Sequence, residues 1–328
     1  MIPYLPAGFR ARPLSVDDAT AVAALLAAAE QVDATGDHPD SEDLVEQWVN
    51  ELVDLHRDGR AVLDDTGNVV GYATTIAPTT FRDAYGVHLE GRVHPGSRGR
   101  GLGRALLDWQ LARGAELHVQ RHPEATARLT VTAHTTMPDL EALLRRAGME
   151  QLRWFHHMER ATTDLPPVPD VPGLDFVPFD RSRDEEVRHA HNVAFAEHYG
   201  SSERDVTSWR LIFTGRRSFR PELSVLALDD GAVVSYVLTY VSESSTRATG
   251  ERQAYYGQIG VLPQARGRGL SKAMIARALE VAAANGCATA GLEVDGENSS
   301  GAQRLYSGLG FVETHTQVSW SRVLPPRH

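Results

Sequence analysis

The chain has 328 residues, 42% of them hydrophobic and 23% charged, an ordinary globular composition that is long for one compact domain, comfortable for two, and excludes disordered or collagen-like classes. Lys and Arg number 33 against 43 Asp and Glu, a net charge of -10, which disfavours non-specific binding to nucleic acid or an anionic membrane without excluding a local basic site. The single cysteine, Cys287, excludes an intrachain disulfide, fits a reducing cytoplasm, and reads as a small buried residue at a helix–strand junction.

The opening segment, MIPYLPAGFRARPL, lacks the apolar core and small-residue cleavage site of a signal peptide, and no run approaches the roughly 20 apolar residues of a membrane span. A short strand is expected at Phe9–Arg12, then a helix opened by Ser15 or Asp17 as N-cap with acids in its first turn. A second helix, Ser41 to Leu55, carries Leu44, Trp48, Leu52 and Leu55 on one face. Strands follow at Ala61–Leu63, Val69–Ile76 and Val87–Val93, then a helix from Gly103 to about Val119. A strand at Arg128–Ala133, a helix at Pro138–Ala147 and a strand near Trp154–Arg160 complete the first half. Ala161 to Gly173, ATTDLPPVPDVPG, has four prolines and no periodicity, and reads as a stiff linker.

The second half repeats the series. A strand is expected at Asp175–Phe179, helices at Arg183–Glu197 and Val206–Phe213, and strands at Ser224–Leu228, Val233–Val241 and Ala254–Val261. A helix at Leu270–Asn285, a strand at Thr289–Val294, a helix at Gly301–Leu309 and a strand at Thr314–Ser321 follow. Pro95 and Pro263, Arg98 and Arg266, and Gly101 and Gly269 each lie 168 positions apart. An internal duplication explains this, giving two mixed α/β domains, 1–160 and 174–328, joined by 161–173.

In each half a strand runs into an Arg-Gly turn that opens a helix: HPGSRGRGLGRALL from His94 and LPQARGRGLSKAMI from Leu262. The first N–H groups of a helix lack internal partners, the helix dipole adds positive charge there, and glycine lets a ligand approach the backbone. Such a turn can cradle phosphate, with Arg98, Arg100, Arg266 and Arg268 adding charge around it. Neither loop matches the dinucleotide pattern G-x-G-x-x-G, since Arg104 and Lys272 stand at its last position, and neither has the P-loop G-K-[ST].

The pattern R-x-x-G-x-G after a strand ending V-x-P, and R-x-x-G-x-S in the second half, resembles the GNAT superfamily of acyl-CoA-dependent N-acyltransferases. The resemblance spans nearly the whole chain as two tandem domains, and among tandem members the chain looks like mycothiol-synthase-like actinobacterial proteins. It implies an α/β fold, an α+β mixed sheet with flanking helices in each of two tandem GNAT-like domains, and acetyl-CoA as co-substrate with no metal. It implies that backbone N–H groups of Arg98, Gly99, Arg100, Gly101, Leu102 and Gly103, and of Arg266, Gly267, Arg268, Gly269, Leu270 and Ser271, bind the pyrophosphate. Ser271 replaces the usual Gly or Ala, a mild departure. Strands ending at Val93, and at Ile259 and Val261, are expected to hold the pantetheine arm and to splay from a neighbour at a bulge.

The second half carries LEVDGENSSGAQRLYSGLGF, similar to the superfamily's acyl-CoA motif. The resemblance implies Tyr306 as general acid to the CoA thiolate, a role a phenol can fill, and Asn298 as a pantetheine contact or a helix cap. Aligned on Gly148 and Gly310, Leu144 stands where Tyr306 does and Thr136 where Asn298 does, so the first half is expected to be catalytically silent, either with a turn still able to hold CoA or as a scaffold alone. Glu293 is the first candidate for the base. Gln258 cannot be one, and His191 and His198, seven apart on one helix, can act directly or through water, or simply line an interface. The expected partner is a small-molecule amine, with no membrane, nucleic acid disfavoured, and a monomer or homodimer in the cytoplasm. Alternatives are a CoA-binding regulatory protein without turnover, and a donor that is a longer acyl-CoA or an aminoacyl-tRNA. No Cys/His spacing suggests zinc and no G-x-S-x-G suggests a serine hydrolase. The acceptor would be shaped by loops near Asp33–Asp43, Pro78–Tyr85, His198–Asp205 and Ser242–Gln253.

Overall fold

Local signals set the first elements. In the computed structural model, which describes residues 2, 4–50, 53–78, 81–196, 201–297 and 301–327, β1 (Arg10–Pro13) is followed by Ser15. The Ser15 hydroxyl accepts from the Asp17 N–H, and the Asp18 carboxylate accepts from the Ser15 N–H, a capping box that leads into α1 (Ala19–Asp33). A second box, Asp40 with Asp43, starts α2 (Ser41–Trp48). The helix expected to run to Leu55 stops at Trp48. The Asn50 side chain donates to the Gln47 carbonyl, and Asp54 caps a separate turn, α3 (Leu55–Asp58). Then come β2 (Gly59–Leu63), β3 (Val69–Ile76), β4 (Tyr85–Val93), α4 (Leu102–Arg121), β5 (Ala127–His134), α5 (Pro138–Arg146) and β6 (Glu150–Ala161).

The second series is β7 (Leu174–Pro178), α6 (Asp184–Ala194), α7 (Val206–Trp209), β8 (Val225–Asp229), β9 (Ala232–Tyr240), α8 (Glu243–Thr249), β10 (Gln253–Val261), α9 (Leu270–Ala284), β11 (Thr289–Asp295), α10 (Ala302–Gly308) and β12 (Val312–Leu324). α6 ends at Ala194, short of the expected Glu197, and His198 lies outside the described residues. α7 runs into a π-turn, Arg210–Thr214, closed by the Gly215 N–H on the Arg210 carbonyl. α8 was not expected. Ser242 caps it and Gly250, at φ 76°, ends it, inside a segment read as loop.

The chain divides into two compact units, Met1–Trp154 with Gln317–His328, and Phe155–Thr316. In the N-terminal unit β1, β2, β3 and β4 form an antiparallel series, β4 pairs parallel with β5, and β5 pairs antiparallel with Gln317–Leu324 of β12. In the C-terminal unit β7 to β10 are antiparallel, β10 pairs parallel with β11, and β11 pairs antiparallel with Phe155–Ala161 of β6. Each sheet therefore takes its sixth strand from the other half of the sequence. This departs from a division at 160 and 174. The proline-rich stretch belongs to the C-terminal unit: Thr162 bonds the Cys287 and Ala288 carbonyls, Leu165 packs on that unit's core, and Arg268 donates to the Pro172 carbonyl.

Apolar clusters lie on both faces of each sheet. In the C-terminal unit one joins α9 and α10 to β10 and β11 and includes Met274, Leu292, Tyr306 and Phe311, with Cys287 buried within it. The other lies under α6 and α7 and includes Trp209, Phe213 and Tyr236. His191 sits in this second cluster, 3% exposed, with Nδ1 2.8 Å from the Tyr236 hydroxyl and its ring stacked on Phe195. That is a core histidine, walled from solvent by aromatic rings. Gly260 of β10 lies across from Tyr236, and a methyl group there would come within 2.3 Å of the ring. Gly260→Ala is expected to cost about 1–3 kcal/mol, read as a lower denaturation midpoint with unchanged slope.

Candidate active site

In both units the Arg-Gly turn takes the conformation its glycines permit. Gly99 and Gly101 have φ of 72° and 88°, and Gly267 and Gly269 have φ of 78° and 75°, a left-handed backbone that side chains resist. Gly101 and Gly269 are the N-caps of α4 and α9, and neither helix start has a side-chain cap. The first N–H groups of both helices therefore face outward with the positive end of the dipole behind them.

The arginines do something other than charge this space. Arg98 reaches back to the Val93 carbonyl at 3.2 Å and grips Asp33, at the end of α1, with two bonds of 2.7 and 2.8 Å. Arg266 does the equivalent, bonding the Val261 carbonyl at 3.3 Å and the Ala194 carbonyl at the end of α6 at 3.2 Å. Arg100 lies over the Phe9 ring at 4.4 Å, and Arg268 pairs with Asp229 at 2.9 Å. These guanidinium groups brace the turn against strand and helix ends. What the turn offers an anion is its backbone N–H groups, with the neighbouring charge partly neutralised by Asp33 and Asp229.

The strand leading into each turn parts from its parallel neighbour. β4 and β5 pair from Tyr85–Ala127 to His88–Thr130 and then separate, and β10 and β11 pair from Gln253–Thr289 only to Tyr255–Gly291. The two gaps differ. In β10 the register against β9 shifts between Tyr256 and Gln258, making Gly257 a bulge. A methyl group there would meet the Tyr240 ring at 2.7 Å, which is why glycine is needed. The bulge switches which residues face the α9 side: Ala254 and Tyr256 before it, Ile259 and Val261 after it. β4 keeps its register against β3 from His88 to Val93, so the bulge expected in both halves is absent from the first. There the Gln110 amide of α4 donates to the Thr74 and Glu90 carbonyls at 2.8 and 2.7 Å, tying β3 and β4 together. Ala278, 168 positions on, has no amide to do this.

Tyr306 and Leu144 occupy equivalent places. The Phe311 N–H bonds the Tyr306 carbonyl at 3.1 Å and the Met149 N–H bonds the Leu144 carbonyl at 3.0 Å, the same closing turn on α10 and α5. Leu144 is fully buried in its core. Tyr306 is 9% exposed, its ring lies edge-on to Phe311, and among the described residues its hydroxyl has no hydrogen-bond partner. Burial pushes the phenol up to about 12, so it carries its proton throughout the working range. Asn298 lies outside the described residues.

Glu293 stands on β11 two residues past the point where β10 leaves it, on the face opposite Leu292 and Val294. It is a third exposed and lies 2.9 Å from Nε2 of His157, its cross-strand neighbour on β6. The His157 ring stacks on His315 at 4.2 Å and on Tyr255 at 6.3 Å. No local pattern singles out His157, Tyr255 or His315, since their meeting depends on strand pairing. The bulge had a signal, a glycine inside the strand pattern AYYGQIGV. Among the described residues no group of three or more His, Cys, Asp or Glu is placed to hold a metal ion, and no helix is long and apolar enough to cross a membrane.

The chain as a whole is similar to known proteins. The acetyltransferase (GNAT) family model matches residues 23–133 and 185–311. A mycothiol acetyltransferase of Frankia alni is 32% identical, with 94% of this chain and 92% of that protein covered. A solved GCN5-related N-acetyltransferase of Sphaerobacter thermophilus is 26% identical with a TM-score of 0.77, covering 99% of this chain and 98% of that one. A tandem GNAT protein from the clavulanic acid biosynthesis pathway shares the fold at 21% identity and a TM-score of 0.71, covering 98% of this chain and 100% of that one. Two matched regions, two glycine-capped turns and two parted strand pairs make the chain a tandem member of the acetyltransferase (GNAT) family, and an N-acetyltransferase.

Proposed function

We propose that the C-terminal unit transfers acetyl from acetyl-CoA to a primary amine of a small molecule by direct attack, with Tyr306 as general acid. The observation that carries this reading is Tyr306, a buried ring whose hydroxyl has no partner among the described residues and which follows a glycine-capped helix start and a strand parted at a bulge. The residues fit an acyl-CoA. Backbone N–H groups from Arg266 to Ser271 would take the pyrophosphate, and β10 through Ile259 and Val261 would line the pantetheine arm. Asn298 would contact that arm, since the N-cap of α10 is Gly301.

The amine attacks the thioester carbon, the developing oxyanion is met by backbone N–H, and Tyr306 gives its proton to sulfur as the C–S bond breaks. Orientation of the two substrates supplies most of the rate. The N-terminal unit, with Leu144 in place of the acid and a regular β4, is silent in transfer and retains a turn able to hold CoA. Calorimetric titration with acetyl-CoA followed by thiol release over a panel of amines tests the reading, with the amine used by the mycothiol acetyltransferases in the panel. Acetyl-CoA binding with amine-dependent thiol release is the expected result. Binding without release for any amine would leave a CoA-responsive regulatory protein, and faster release from longer acyl-CoA would reassign the donor.

A further inference from the structure

Acetylation of an amine at neutral pH begins with a proton problem. The acceptor arrives as an ammonium ion, and its nitrogen attacks only after losing a proton. Gln258, which follows the bulge, cannot take it. Glu293 is the nearest carboxylate on the face where β10 and β11 have parted, but it is not a lone carboxylate, since His157 stands 2.9 Å away.

We propose that Glu293 and His157 form one proton-accepting unit for the acceptor amine, with the histidine supplied by the exchanged strand β6. Alternation along the strands carries the argument. Met158 faces the α9 core, so His157 and Glu159 point to the opposite face, and Leu292 and Val294 face that core, so Glu293 does too. Tyr255 shares that face, because Ala254 and Tyr256 face the core. The pair therefore lies beyond the last parallel rung, Tyr255–Gly291, on the side away from Tyr306 and Phe311. Among the described residues the titratable groups on that face are Tyr255 from β10, Asp295 from β11, His315 from β12 and Glu159 from β6 itself; His156 bonds Glu313 and Thr316 on the other face.

The protons balance. The first leaves the ammonium for the pair, turning carboxylate–imidazole into carboxylate–imidazolium. The second leaves the nitrogen as the C–S bond breaks and replaces the one Tyr306 gives to sulfur. The pair then returns its proton to solvent, which accounts for the one proton released per acetylation. The stacking of His157 between Tyr255 and His315 holds its ring in the plane that keeps Nε2 on Glu293.

The inference rests on the transferase reading above, and the test separates the two. Rates of acetylation (kcat/KM for the amine) are measured from pH 5 to 10 for the wild type, Glu293→Gln and His157→Gln, with acetyl-CoA affinity measured alongside. Near neutral pH both variants are expected to fall about 100-fold, the low end of general-base effects. They should recover to within about 3-fold of wild type once the pH exceeds the amine's own pKa, with acetyl-CoA binding unchanged. Equal losses at every pH, or a wild-type profile, would overturn the assignment and leave the pair as a strand-to-strand tie. Should the variants not fold, the wild type answers alone with two acceptors of different amine pKa. An acid limb that stays in place supports the pair, and one that moves fully with the amine excludes it. If no amine is acetylated at all, it is the transferase reading that fails.

Discussion

Replacing Tyr306 with Phe should lower kcat by about 100- to 1,000-fold while leaving the acetyl-CoA Kd within about 3-fold. The substitution removes one oxygen from a ring packed in the core against Phe311, so packing is conserved. Among the described residues the hydroxyl has no partner to lose, so the folded protein should be barely less stable, or slightly more. What disappears is the proposed proton donor. A thiolate leaving into a low-dielectric gap is costly, and a neutral phenol held at about 12 offers its proton or a strong hydrogen bond only as charge develops. Because the group stays protonated far above neutrality, wild-type activity should show no basic limb from it below about pH 11. Single-turnover rates and an acetyl-CoA titration on the same variant make the check. A kcat within a few-fold of wild type would remove Tyr306 from the chemistry.

The second large effect separates the two turns. Gly269→Ala places a methyl group at a left-handed position where, among the described residues, nothing beyond its chain neighbours lies within 4 Å. The fold should lose only the backbone strain, about 1–2 kcal/mol. The methyl group would stand where a phosphate oxygen approaches the N–H groups of α9, so acetyl-CoA affinity for the catalytic unit should fall by about 10-fold or more. Gly101→Ala makes the same change at the same φ class in the N-terminal unit, its nearest neighbour being Pro6 at 3.4 Å. It should leave the KM for acetyl-CoA nearly unchanged. Steady-state kinetics of the two variants, compared at matched stability loss, decide the matter. Equal effects on turnover would mean that both units take part in transfer.

Much of this was legible in the residues themselves. The duplication, the two turns and the Tyr306–Leu144 contrast are local patterns, and local patterns survive translation into structure because glycine φ values and helix caps depend on near neighbours. Three things were not legible. The arginines of the turns read as free positive charge, but their partners Asp33, Ala194 and Asp229 come from elsewhere in the chain. The α2 helix was read too long because the apolar spacing continued through Leu55, while a single asparagine side chain ended it at Trp48. The partner of Glu293 was invisible because strand register across more than a hundred residues leaves no mark in either strand. Glu293 as a candidate came from the sequence; His157 could come only from the fold.

The exchange of β6 and β12 has a consequence for the history of the chain. Two copies of a gene joined end to end usually remain separable, since a break in the connecting segment returns two whole domains. Here a break in the proline-rich segment would return neither. The first fragment would leave β5 without Gln317–Leu324, and the second would leave β11 without Phe155–Ala161 and Glu293 without His157. Bare strand edges of that kind invite wrong partners. Once the strands had traded places, neither copy could become dispensable, because each encodes a strand of the other unit.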